Sequence, residues 1–194
     1  MCGINGFALP RGERVDARIA AAMNTALRHR GPDEGGVADL GFAALAMRRL
    51  SIVDVRTGQQ PMRSDDERSV LVYNGELYDY EAMRVELEAR GRRFRTRSDT
   101  EVLLQSLAEH GLDALKRFNG MFAFALADVR ERSLLLARDP LGIKPLYWWL
   151  GPRGELVFSS ELKSLLAHPA VPRKLDRRSL EVLLNEARTG LLQR

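Results

Sequence analysis

The chain has 194 residues, 45% of them hydrophobic and 29% charged, with a formal net charge of +4. That is the make-up of one ordinary globular domain, large enough to bury its own core. A single cysteine excludes an intrachain disulfide or a thiolate zinc cluster, and His29, His110 and His168 show no ligand spacing, so no metal is expected. The first residues carry no secretory leader, and the longest apolar run, Met121 to Ala127, is too short to span a bilayer, so a cytoplasmic protein with no membrane partner is expected.

In chain order, GINGFAL (3–9) reads as a short strand. VDARIAAAMNTALRH (15–29) carries apolar residues at helical spacing and stops near Arg30-Gly31-Pro32. GPDEGG reads as a polar loop, and Leu40 to Met47 as a buried strand. SVLVYNGELYDY reads as two strands around a turn, because Asn-Gly between strand-like runs is a leading hairpin signal. YEAMRVELEAR and DTEVLLQSLAEH follow as helices, the second ended by Gly111. Between them, Arg93, Arg95 and Arg97 alternate with Phe94 and Thr96 as on a half-buried strand, so the basic stretch Arg90 to Arg97 is read as a solvated face and no nucleic-acid partner is expected. GMFAFALAD, SLLLARD, KPLYWWL and ELVFSS are strand candidates, SSELKSLLAH a short helix, and LDRRSLEVLLNEA a last helix capped by Asp176. HPAVPRKLD, with its two prolines, is the best candidate for a domain boundary, and the pattern as a whole suggests an α+β layered fold.

Four places could carry chemistry. If Met1 is removed, Cys2 becomes the first residue and owns both a thiol and a free α-amine. Their pKa values lie near ~8.5 and ~8, so one residue holds nucleophile and base. The alternative for Cys2 is an inert cysteine at the start of a strand. At YNGEL, a hairpin turn stands against an oxyanion hole built from the Asn74 amide and the Gly75 N–H, with Glu76 positioned to meet an ammonium. At SDTEVLL, a capping box of Ser98 and Glu101 stands against a role for Asp99 beside Glu76 in holding an amine. Arg49 is either an exposed surface arginine or a bidentate grip for a carboxylate. Together these supply nucleophile, base, oxyanion donors, a carboxylate clamp and amine-binding acids, the set needed to hydrolyse the side-chain amide of glutamine.

The stretches MCGINGF, LRHRGPDEGG, RRLSIVD, GQQPM, YNGELYDY, SDTEVLL, FNGMFAFALAD, RDPLGIKPLYW and FSSELKSLL resemble the glutaminase domain of class II glutamine amidotransferases of the asparagine synthetase type. The resemblance runs from Cys2 to about His168. It implies an N-terminal-nucleophile hydrolase fold, an αββα sandwich with two antiparallel sheets between helical layers. It implies Cys2 as nucleophile, Asn74 and Gly75 as oxyanion hole, and Arg49 on the glutamine α-carboxylate. Glu76 and Asp99 would hold the α-amino group, backbone around Leu50 and Ile52 would line the pocket, and the loop His29 to Glu34 would lie near its mouth. It further implies L-glutamine as substrate and a synthetase domain or subunit as the acceptor of ammonia, and it leaves homodimerisation open. No cofactor is implied for this chain, whereas ATP and magnesium are implied for the synthetase domain.

One departure is large. The family's synthetase domain carries an SGG-x-DS loop, and this chain has none. Residues 2–168 are therefore expected to form the glutaminase domain and 169–194 a linker and the start of a missing or separate synthetase domain. A second reading, an inactive glutamine-binding or assembly module with the same fold, is also open.

Overall fold

The computed structural model describes residues 1–50 and 57–189, with side chains described through Asn185. Nine strands and five helices follow one another as β1 (Gly3–Ala8), α1 (Ala17–Thr25), β2 (Glu34–Asp39), β3 (Ala43–Arg49), β4 (Met62–Arg63), β5 (Ser69–Leu77), α2 (Tyr80–Ala89), α3 (Asp99–His110), β6 (Gly120–Asp128), β7 (Ser133–Arg138), β8 (Tyr147–Leu150), β9 (Leu156–Ser159), α4 (Leu162–Leu165) and α5 (Arg177–Thr189) among the described residues. One sheet has the order β2-β3-β1-β9-β8 and the other β4-β5-β6-β7, and every pairing is antiparallel.

Alternation along the strands builds the layers, because successive side chains point to opposite faces. Ile4, Leu45 and Met47 from the first sheet meet Val70, Val72, Ala123, Ala125 and Ala127 from the second in the core between them. The opposite parity of the first sheet, Phe7, Ala44, Ala46 and Val157, packs on Ala20 and Met23 of α1 and Leu165 of α4. The opposite parity of the second, Leu71, Tyr73, Phe122 and Phe124, packs on Leu103, Leu104 and Leu107 of α3. The result is the expected four-layer αββα sandwich. From Pro172 onward the chain is exposed through Asn185, α5 included.

Three local expectations are corrected. YNGEL is not a hairpin: Asn74 and Gly75 lie within one continuous strand, registered against Ala123 and Phe122 of β6, and neither has a positive φ. GPDEGG is not all loop, since β2 begins at Glu34 and pairs along β3, which itself begins at Ala43 rather than Leu40. Residues 91–97 alternate in burial as expected but pair with no strand among the described residues. The amides of Arg95 and Thr96 go instead to the buried carboxylate of Glu101. Arg93, Arg95 and Arg97 are exposed, as a solvated face requires, and Arg92 pairs with Glu109 and Arg95 with Asp65.

Candidate active site

The inward parity that is apolar in the middle of the sandwich turns polar at one end. Continuing Ile4 backward gives Cys2; continuing Leu45 and Met47 forward gives Arg49; continuing Val70 and Val72 gives Asn74 and Glu76. All four line one cavity of about 300 Å³, together with Leu50, Gly75 and Asp99. The structure thus brings together every predicted site residue except Ile52, which lies outside the described residues.

Cys2 is half-buried, and its thiol donates to the Leu50 carbonyl at 3.7 Å. Arg30 Nε donates to the Cys2 carbonyl at 2.8 Å. Met1 is 61% exposed and borders the same cavity. Arg49 is buried rather than a surface arginine, and Glu34 Oε2 accepts from its Nη1 at 3.2 Å. Asn74 is buried, and its amide Nδ2 has no hydrogen-bond partner among the described residues. A buried donor without an acceptor is rare and costs about 1–3 kcal/mol.

On the β5 edge facing away from β6, Gln60 Oε1 accepts from the Tyr73 N–H at 2.7 Å and Asp99 Oδ2 from the Leu77 N–H at 3.1 Å. Alternate amides of a strand point the same way, so the Gly75 N–H lies on this edge between them. No side chain among the described residues claims it. The close packing here explains the glycine: a Cβ on Gly75 would lie 2.5 Å from the Met121 carbonyl oxygen and 2.6 Å from the Tyr73 ring.

Asp99 opens α3, and its carboxylate is turned onto β5, where it also accepts from Tyr73 Oη at 2.9 Å. Burial pushes its pKa up, and nearby Glu76 adds to this, while the hydrogen bonds from Tyr73, Leu77 and Thr100 offset it only in part. Burial also drives the Tyr73 hydroxyl well above its ordinary value, helped by the charge and hydrogen bond of Asp99. Ser98 caps α3 by accepting from the Glu101 N–H at 3.3 Å, but the expected box is half made. Glu101 serves the amides of Arg95 and Thr96, and the Ser98 N–H goes to Thr96 Oγ1.

The family model of the glutamine amidotransferase domain matches residues 1–191. The chain belongs to that family. It is 39% identical over 183 residues to glutamine-hydrolyzing asparagine synthetase 3 of Bacillus subtilis, spanning 93% of this chain and 30% of that protein. It is 42% identical over 167 residues to asparagine synthetase B of Escherichia coli, spanning 86% of this chain and 30% of that one. The chain therefore covers less than a third of the length of these relatives. Among solved structures, the glutamine phosphoribosylpyrophosphate amidotransferase of Bacillus subtilis matches with a TM-score of 0.71 at 24% identity, over 88% of this chain and 44% of that one. This likeness shows the fold.

Sequence reasoning missed several residues of this amidotransferase domain that stand around the cavity. Gln60, Tyr73, Thr100, Met121 and Lys144 all line it. Met121 and Tyr73 were readable by extending strand parity, one inward and one outward. Gln60 and Lys144 carry no such signal, because both sit in irregular chain. Behind Cys2, Glu161 receives His29 Nε2 at 2.9 Å, Arg30 Nη1 at 3.1 Å and Lys163 Nζ at 3.3 Å. Burial opposes ionisation of Glu161, yet these partners pull its pKa down to about 2. So the loop expected at the mouth is divided. His29 and Arg30 serve this ion cluster, and Glu34 serves Arg49. Among the described residues no group of acids, histidines and cysteine could hold a metal, and no helix is long and apolar enough to cross a membrane.

Proposed function

We propose that this domain hydrolyses L-glutamine to glutamate and ammonia through a thioester on Cys2, after Met1 has been removed. What supports the reading most is the lining that Cys2 shares: a buried Asn74 amide with no partner and a Gly75 N–H that no side chain takes, both among the described residues. Two open donors bordering the same cavity as the Cys2 thiol suit an oxygen that gains charge during reaction.

The freed α-amine of Cys2 takes the thiol proton, and the thiolate attacks the side-chain amide carbon of glutamine. The oxyanion is held by Asn74 and Gly75. When the tetrahedral intermediate collapses, the C–N bond breaks and the α-ammonium returns the proton to the departing nitrogen, giving ammonia. Water, deprotonated by the same amine, then attacks the thioester; glutamate leaves and the sulfur recovers its proton. Arg49, oriented by Glu34, grips the α-carboxylate, and Glu76 and Asp99 hold the α-ammonium. This chemistry uses no metal or organic cofactor. The ammonia passes to a synthetase unit, where ATP and magnesium would activate a carboxylate such as that of aspartate; residues 2–168 supply the glutaminase half, with 169–194 leading toward that unit.

The test is glutamate release from glutamine, with intact-mass measurement of the amino terminus. Cys2→Ala should abolish hydrolysis and keep glutamine binding, and Asn74→Ala should slow turnover about a hundredfold or more. Surviving hydrolysis in Cys2→Ala, or retention of Met1 on an active enzyme, would refute the mechanism.

A further inference from the structure

We propose that Gln60 is a positioning residue for this chemistry: with Asp99, its side chain replaces a missing neighbour strand along β5 and so aims the Gly75 amide into the cavity. The proposal rests on the reading of Asn74 and Gly75 as oxyanion donors. β4 pairs with β5 only at Leu71 and Val70. Beyond that point no strand among the described residues lies beside the edge of β5 facing away from β6, and a bare edge leaves a row of unpaired amides. Here the Tyr73 and Leu77 amides, two residues to either side of Gly75, are taken by Gln60 Oε1 and Asp99 Oδ2. The strand is thereby fixed on both sides of the Gly75 amide, which no side chain among the described residues takes.

Gln60 is itself anchored to two further layers. Its Nε2 donates to Thr100 Oγ1 in the first turn of α3 at 3.3 Å. Its backbone lies so close to β2 that a Cβ on Gly36 would stand 2.2 Å from the Gln60 carbonyl oxygen. One side chain and its carbonyl therefore tie β2 of the first sheet, β5 of the second and α3 around the donor. Oxyanion stabilisation depends on donors already in place before charge develops, and a displacement of ~1 Å can cost about a hundredfold in rate.

Gln60→Met keeps the length of the side chain and loses both hydrogen bonds. In glutamine hydrolysis by the 194-residue chain, kcat should fall about 10- to 100-fold while KM stays within about threefold. Glutamine binding measured in a Cys2→Ala background should not move. Gln60→Glu keeps an acceptor for the Tyr73 amide and lets the Thr100 hydroxyl donate to its other oxygen, at the cost of a charge on the cavity wall, so kcat should recover part of the loss seen in Gln60→Met. Undiminished kcat in Gln60→Met, or Gln60→Glu as slow as Gln60→Met, overturns the proposal. Slow Asn74→Ala beside fast Gln60→Met removes Gln60 and leaves the oxyanion reading standing, whereas full turnover in Asn74→Ala overturns both.

Discussion

If Asp99 holds the α-ammonium as proposed, replacing it with asparagine should pull substrate binding and stability in opposite directions. The carboxylate is 8% exposed, and burial raises its pKa above 3.8. Between 3.8 and that raised value the folded chain holds a proton that the unfolded chain has released, so stability falls as pH rises through the window and stays lower above it. Asparagine removes the buried charge and keeps an oxygen acceptor for Tyr73 Oη and the Leu77 amide. At neutral pH Asp99→Asn should therefore melt at or above the wild-type temperature, and the advantage should vanish at acid pH. Binding moves the other way. A hydrogen bond from an ammonium to a carboxylate is worth about 1.5–3 kcal/mol, which at about 1.4 kcal/mol per decade is a 10- to 100-fold rise in KM for glutamine. Melting curves at two pH values and steady-state glutaminase kinetics on the same preparation check both halves. A variant that melts lower at neutral pH and binds glutamine as well as wild type would show that Asp99 is a structural acid and would refute the reasoning.

Two other groups make the fold itself pH-sensitive. His168 is buried against Phe7, and burial lowers its pKa below 6.5 against the opposing pull of Glu155. Stability should be fully present above 6.5 and drain away as pH falls below it, and His168→Leu should flatten that slope in urea titrations; an unchanged slope would assign the acid sensitivity elsewhere. The fall of the Glu161 pKa from 4.5 to about 2 corresponds to up to about 3 kcal/mol, present above 4.5 and lost as pH falls through about 2. Glu161→Gln should lower the midpoint of urea unfolding accordingly at neutral pH; unaltered stability there would mean that His29, Arg30 and Lys163 find equivalent partners without it.

Most of the layer order is legible in the alternation of the strands, because GMFAFALAD and SVLVY show two apolar faces and can only belong between layers. The failures have local causes. Asn-Gly at 74–75 satisfies the chemistry of a tight turn, but nine consecutive residues of β5 are registered against β6, and that pairing outweighs a two-residue preference. The glycine is there because the Met121 carbonyl and the Tyr73 ring leave no room for a Cβ, a tertiary fact with no local trace. GPDEGG looked too polar for a strand, yet β2 is an edge strand whose Gly36 faces the Gln60 backbone, so its small residues serve close approach. The site was legible for a different reason. Cys2, Arg49, Asn74 and Glu76 interrupt apolar inward series at their ends, and burying such groups is unfavourable unless something at that end receives them.

Asn74 makes that last point sharper. Its Nδ2 is buried without a partner among the described residues, a condition that costs a resting fold about 1–3 kcal/mol. A substrate carbonyl entering the cavity supplies an acceptor, and the same oxygen accepts more strongly once it bears charge. The part of the recovered energy that appears only with the charge lowers the barrier, while the part already made with the neutral carbonyl contributes to binding alone. Removing the amide takes the buried donor away along with its proposed catalytic use. Asn74→Ala should therefore lose turnover without losing its melting temperature, a separation that an asparagine held by ordinary structural hydrogen bonds would not produce.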